Sequence, residues 1–328
     1  MPQAFSSIIC FHPGALGDVI NTLPALAALR RRWPEARITG LGQMELMQLL
    51  QAAGVLEQGR SLELPGLHAL FHPELEPPPN LVAFLHNFDL AVSWMRDRAG
   101  LFPRRLKQLG LSAVFHLGPF PPPPGSGPAS RWYAEPLRSL GIEPVSEPPR
   151  LELTPAQRAA WLSSHPELLG AKYLVIHPGS GSPRKNWPAK QFARLAAELT
   201  ARLDQCVVIL EGPADRAAVE QMKEASRGAS WSVLSGLSLR ELAAVLAGAA
   251  VVAGNDSGVL HLAGAVGAAT VAVFVAGDPE LWGVNQPQAR NLGPGPASLE
   301  AVVQAVQELL HERFRLQLPF SNSAINLT

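Results

Sequence analysis

Residues 249–275 constrain this fold more than any other stretch of the chain. An apolar run at 249–253 leads into the polar turn Gly254-Asn255-Asp256-Ser257-Gly258. An apolar helical run at 259–266 follows, and a second strand-like run at 270–275 closes the unit. Strand, polar turn, helix, strand is one βαβ unit, whose ligands sit outside the carboxyl ends of the strands. Asp256 and Ser257 can both cap the helix, and its first free N–H groups suit a phosphate. If the helix starts near Ser257, His261 lies one turn on, with its side chain leaning back over Ser257. The plain alternative is a capped helix that carries a polar histidine.

The same alternation runs through the rest of the chain. In the second half, strands are expected at 173–177, 206–210, 232–234, 249–253 and 270–275. Helices fit 189–203, 215–226, 238–247 and 257–266, with a last amphipathic helix at 298–313 and a frayed tail at 319–328. In the first half, strands fit 7–11, 37–41, 88–94 and 113–117, and helices fit 18–32 and 44–53. Pro24 removes a backbone donor, so the first helix should kink or restart near Thr22. Strands alternating with helices of this length imply parallel sheets covered on both faces. The fold class is therefore α/β, with two Rossmann-like, doubly wound domains facing a cleft. The expected division is 1–155 and 156–328, with the 298–313 helix returning toward the first domain. Residues 119–149 break the composition with a long surface loop, including four consecutive prolines at 121–124 and a short helix near 132–140.

Composition narrows the functional classes. With 328 residues and 47% hydrophobic content, the chain can bury two large cores. Its 27 basic and 27 acidic residues cancel, so no global field invites nucleic acid. Arg30-Arg31-Arg32 and Arg104-Arg105 read as solvated helix ends, with an anionic acceptor or lipid surface as the sharper alternative. The 2 cysteines, Cys10 and Cys206, read as buried reduced thiols. No signal peptide is evident. Polar residues split the apolar region at 242–277 into arms shorter than the ~20 residues of a membrane span. A cytoplasmic protein is expected.

Three loops after strands carry the chemistry. In Gly14-Ala15-Leu16-Gly17-Asp18, two glycines allow a tight turn and leave room for a ligand. Neither dinucleotide nor P-loop signatures are present. Asp18 is either a helix cap or a base that takes a proton from a substrate hydroxyl. In the stretch from His177 to Trp187, Ser180 and Lys185 form the composition of a site for oxygen anions, Lys185 as a point charge for a diphosphate. The third loop, Leu210 to Asp215, carries carboxylates that could hold ribose hydroxyls or cap a helix. The turn from Leu234 through Gly236 could border a base.

These motifs together resemble glycosyltransferase family 9. The resemblance rests on His12-Pro13-Gly14-Ala15-Leu16-Gly17-Asp18 with Leu23-Pro24-Ala25-Leu26, on His177-Pro178-Gly179 with Lys185-Asn186-Trp187-Pro188, and on Asp256-Ser257-Gly258 with His261-Leu262-Ala263. It implies a GT-B fold and an inverting, metal-independent lipopolysaccharide heptosyltransferase. The donor would be a nucleotide sugar, ADP-heptose, used as substrate with no cofactor. The acceptor would be lipid-linked or an oligosaccharide, reached at the inner face of the cytoplasmic membrane. Asp18 would match the catalytic base. Ser180, Lys185, Asp256, Ser257, Gly258 and His261 would hold the donor diphosphate and sugar. Asp215, with Leu234 and Gly236, would face the nucleoside, and His12, Gly14 and Gly17 the acceptor side. His12 stands where the family often has arginine. Phe274-Val275-Ala276-Gly277-Asp278-Pro279 replaces the more usual Phe-Gly-Pro-Thr-Asp-Pro.

Other classes fit less well. A serine hydrolase built on Ser257 and His261 lacks the G-x-S-x-G elbow. The nine histidines show no metal-ligand spacing. An epimerase of the same fold, an enzyme using another donor, or a non-catalytic sugar-nucleotide binder remain as alternatives.

Overall fold

The computed structural model describes residues 4–117, 125–144, 147–202, 206–226 and 231–317. The proline run at 121–124 and the tail at 319–328 lie outside them. Eleven strands form two sheets among the described residues. The first contains β1 (Ser7–Phe11), β2 (Arg37–Gly42), β3 (Gln58–Ser61), β4 (Leu90–Ser93) and β5 (Ala113–His116). The second contains β6 (Tyr173–His177), β7 (Cys206–Glu211), β8 (Ser232–Ser235), β9 (Val251–Asn255), β10 (Ala269–Val273) and β11 (Ala289–Leu292). Their orders are β3-β2-β1-β4-β5 and β11-β10-β9-β6-β7-β8, with every neighbouring pair parallel.

Parallel strands buried on both faces need unbroken apolar runs, and β1 shows why. Ile8 and Ile9 are adjacent and fully buried, yet they belong to different apolar clusters on opposite faces of the sheet. Burying each such side chain contributes roughly 1.5–3 kcal/mol. One cluster, containing Ile8, Val19, Leu260 and Val284, is continuous across the junction of the two halves.

The first helical run is divided as Pro24 requires. Helix Leu16–Asn21 ends at Thr22, whose hydroxyl donates to the Val19 carbonyl at 2.7 Å, and helix Leu23–Arg32 begins with Pro24 in its first turn. In the last helix, Leu299–Gln317, the side chains of Val302, Val306 and Leu309 pack into the cluster under the second sheet. That face covers β9, β10 and helix Ala189–Arg202. Cys206 is exposed at the start of β7, whereas Cys10 is buried as expected. No helix among the described residues is long and apolar enough to cross a membrane.

Candidate active site

Strand order reverses between β1 and β4 in the first sheet and between β6 and β9 in the second. Loops leaving such switch points form the ligand crevice of doubly wound sheets. The loops after β1 and β9 lead into helices Leu16–Asn21 and Gly258–Ala265, which pack against each other across the junction. Their approach depends on glycine. A Cβ at Gly258 would lie 2.8 Å from the Gly17 main-chain nitrogen, and one at Gly17 would lie 3.3 Å from the His261 ring. A Cβ at Gly14 would meet His12 and the Asp18 side chain, both at 2.6 Å. Both glycines therefore allow close protein packing, and each also lines a cavity of the site.

Asp18 sits in the first turn of its helix. One carboxylate oxygen accepts from the Ala15 N–H at 3.2 Å, and the other accepts from the Tyr133 hydroxyl at 2.7 Å. Burial, with the Asp18 charge beside it, keeps the Tyr133 phenol protonated far above its usual range. Both residues line a cavity of about 490 Å³ with His12, Trp94, Arg96, Asp97, His116 and Trp132 among its walls. His12 is buried, and its Nδ1 accepts from the Gly14 N–H at 3.1 Å. Burial pushes the His12 pKa down to about 4, opposed by the Asp18 charge. Where the family often has arginine, this chain therefore places a neutral ring.

A second group lies on the other side of the junction. The Lys185 ammonium donates to Asp256 at 2.6 Å, with Asp256 only 7% exposed. Asp18, Asp256 and Lys185 all act electrostatically on the buried His261. Burial lowers the His261 pKa, the two carboxylates oppose that, and Lys185 reinforces it. His261 turns toward Gly17 and the Trp282 backbone, so it faces the other half as well as its own turn. Asn255 ties the turn to the Lys185 loop: its side chain accepts from the Trp187 N–H at 2.7 Å and donates to the Pro178 carbonyl at 2.8 Å. The Ser180 hydroxyl was expected on the diphosphate. It lies 2.7 Å from the Ser182 carbonyl and 2.6 Å from Asn186 Oδ1, so its single proton is engaged in holding its own loop.

The larger cavity, about 700 Å³, opens between the halves. Leu210, Leu234, Leu237 and Leu242 give it an apolar wall, with Gly236 beside them at φ +69°, a left-handed backbone that suits glycine. Ser257, Gly258 and Asp215 also line it. Asp215 does not project freely into the space: its Oδ2 accepts from His177 Nε2 and from the Gly212 N–H, both at 2.9 Å. Leu16 and Gly17 line this cavity while the next residue, Asp18, lines the smaller one. One helix thus borders both spaces.

The sequence model described as "Glycosyltransferase family 9 (heptosyltransferase)" matches residues 131–308, more than half of the chain. The chain belongs to glycosyltransferase family 9. This family 9 chain is 23% identical over 296 residues to lipopolysaccharide heptosyltransferase 3 of Escherichia coli, covering 81% of this chain and 82% of that one. Its fold is similar to a family 9 glycosyl transferase from Veillonella parvula DSM 2008, with TM-score 0.76, 22% identity and coverage of 95% and 99%. It is also similar to the E. coli ADP-heptose LPS heptosyltransferase II, with TM-score 0.72, 18% identity and coverage of 94% and 99%. The two facing parallel sheets are those of the GT-B fold.

Of the residues read from the family 9 motifs, Asp18, Lys185, Asp256 and His261 form one electrostatic neighbourhood, and Ser257 and Gly258 border the large cavity. His177, quoted within its motif, was given no role, and Tyr133 was not singled out, although each contacts a motif residue directly. The first had a visible signal, a histidine ending a strand beside small residues. Trp94-Met95-Arg96-Asp97-Arg98, polar residues at the carboxyl end of β4, also carried a signal, because crevices form there.

Proposed function

We propose that this protein is an inverting glycosyltransferase that moves heptose from ADP-heptose to a lipopolysaccharide-core-type acceptor. The observation that carries this reading is the helix Leu16–Asn21, which borders the 700 Å³ cavity with Gly17 and the 490 Å³ cavity with Asp18. A donor in the first space and an acceptor in the second would meet at the Asp18 carboxylate.

The base of the nucleotide rests on the apolar wall of Leu210, Leu234 and Leu237. The diphosphate lies at the first N–H groups of helix Gly258–Ala265, within reach of Lys185. Asp256 and His261 face the donor sugar. In the smaller cavity, Trp94 and Trp132 offer flat apolar faces for a sugar ring, and Arg96 offers charge to an anionic group. Asp18 takes the proton from the acceptor hydroxyl as its oxygen attacks the anomeric carbon. The nucleoside diphosphate leaves from the opposite side, so a single displacement inverts the configuration. Lys185 and the helix dipole compensate the charge that grows on the leaving group, and no metal ion or cofactor is required in this scheme. The reaction takes place in the cytoplasm, at the inner face of the membrane where a lipid-linked acceptor is presented. No nucleic acid takes part.

The test is to incubate the purified protein with ADP-heptose and a lipopolysaccharide-core acceptor in the presence of a chelator, and to assign the anomeric configuration of the product. Transfer with inversion is expected. Retention of configuration, or release of ADP with no glycosylated acceptor formed, would reject the reading.

A further inference from the structure

Three strand ends of the second sheet bring Ser257, His177 and Asp215 into one line of hydrogen bonds. His177 Nδ1 lies 3.3 Å from the Ser257 hydroxyl, and His177 Nε2 lies 2.9 Å from Asp215 Oδ2. His177 and Asp215 are buried, with 3% and 6% of their surfaces exposed, while Ser257 borders the 700 Å³ cavity. Gly179 makes the arrangement sterically allowed, since a Cβ there would fall on top of the Asp215 carboxylate. Ser257 occupies the cap position of helix Gly258–Ala265, yet its side chain makes no capping hydrogen bond.

We propose that Asp215 and His177 are positioning residues that turn the Ser257 hydroxyl away from its own helix and present it to the donor as a hydrogen-bond acceptor. The inference rests on the reading of this cleft as the nucleotide-sugar site, and it names what one residue of that site does.

Burial favours the neutral form of Asp215, but the His177 ring and the Gly212 N–H outweigh that and hold its pKa below the usual value. An ionised carboxylate only accepts, so Nε2 of His177 carries the hydrogen. If the ring carries no second proton, Nδ1 is the acceptor, and the hydroxyl 3.3 Å from it is that of Ser257. Ser257 therefore donates its one proton inward, and its lone pairs face the cavity. Such an oxygen is matched by a donating hydroxyl of the ribose or sugar, not by a phosphate oxygen, which has no proton to give. Because Ser257 is held off the cap, the first N–H groups of its helix stay open to the diphosphate. A serine that capped its own helix would stabilise the empty protein and compete with the donor for those groups.

Two measurements test this. Nitrogen NMR of the full-length protein, labelled at histidine and free of nucleotide, is expected to show His177 as the Nε2–H tautomer with Nδ1 hydrogen-bonded. In Ser257→Ala the tautomer is retained and the Nδ1 resonance moves to its unbonded position. An Nδ1–H tautomer, or a His177 signal unmoved by Ser257→Ala, would overturn the relay whatever sugar nucleotide the enzyme uses. The second is the KM for ADP-heptose in wild type, Ser257→Ala, Asp215→Asn and the double variant. Each single change should raise KM about ten-fold, the scale of one lost hydrogen bond, and affect kcat less. The double variant should be no worse than Ser257→Ala, because Asp215 acts through the serine. Multiplying losses would show that Asp215 acts on the donor or the fold independently, and would contradict the proposal.

Discussion

Tyr133 donates its hydroxyl to Asp18 at 2.7 Å across 115 residues of sequence. The contact draws together a first-turn helical carboxylate and a short helix, Ala129–Tyr133, that is itself tied to the second half through Asn285 and Ser130 at 3.1 Å. Tyr133 thus fixes the rotamer of the proposed base and links it to the donor-side half. Tyr133→Phe keeps the ring and removes the hydrogen bond. Hydrogen bonds to charged groups contribute roughly 1.5–3 kcal/mol, so kcat should fall about ten- to a hundred-fold. Full activity in Tyr133→Phe would remove Tyr133 from the site.

The buried, neutral His12 makes stability depend on pH. Its pKa is lowered from 6.5 to about 4, so between those values the unfolded chain binds a proton that the folded chain does not. Its contribution is complete above about pH 6.5 and is lost progressively as the pH falls toward 4. From pH 7.5 to pH 5 the loss is roughly 2 kcal/mol, and His261, lowered in the same direction, adds to it. Urea unfolding at the two pH values should show this difference in wild type and a smaller one in His12→Gln. Equal pH dependence in both proteins would contradict the assignment.

The two helix N-termini meet on glycine, so Gly258→Ala should separate them. Its added methyl would lie 2.8 Å from the Gly17 nitrogen, a main-chain atom that cannot rotate aside. Overpacking of this kind costs about 1–3 kcal/mol. Thermal unfolding should occur at lower temperature and transfer should fall even at saturating donor. Wild-type activity with unchanged unfolding would mean that the close approach is not used in solution.

Much of this was legible along the chain, and the remainder was hidden for identifiable reasons. The buried strands β1 and β6 end where their apolar runs end, and Pro24 marks the helix break at Thr22. The edge strands β3 and β11 were not foreseen, because Gln58-Gly59-Arg60-Ser61 and Ala289-Arg290-Asn291-Leu292 are half-buried and carry no apolar run. Amphipathicity showed that the last helix has a covered face, but not that β9, β10 and helix Ala189–Arg202 cover it. In the site, the motifs singled out Asp18, Lys185, Asp256 and His261, which the fold brings into one electrostatic neighbourhood. Motif spacing could not show that Asp215 answers to His177, or that Ser180 folds its own loop, because those depend on side-chain direction within each turn.

Lys185 is paired with Asp256 at 2.6 Å, and a diphosphate would share its charge. Lys185→Ala should weaken ADP binding about ten- to a hundred-fold, the scale of a charge-assisted hydrogen bond. Calorimetric titration with ADP, with circular dichroism to check the fold, measures it. A folded variant with wild-type affinity would reject Lys185 as a diphosphate ligand.

The central claim is that Asp18 is the base that joins the two cavities. Asp18→Asn preserves the shape of the side chain and one of its two accepting contacts, the amide NH2 having to donate to the other partner, but removes its ability to take a proton. General-base catalysis is typically worth ~10²–10⁴-fold. The most direct measurement is the single-turnover rate of sugar transfer in Asp18→Asn beside the affinity of the same protein for ADP. The account predicts a rate lower by about that factor with ADP affinity nearly intact. Transfer at the wild-type rate would make Asp18 a helix cap and place the base elsewhere in the cleft.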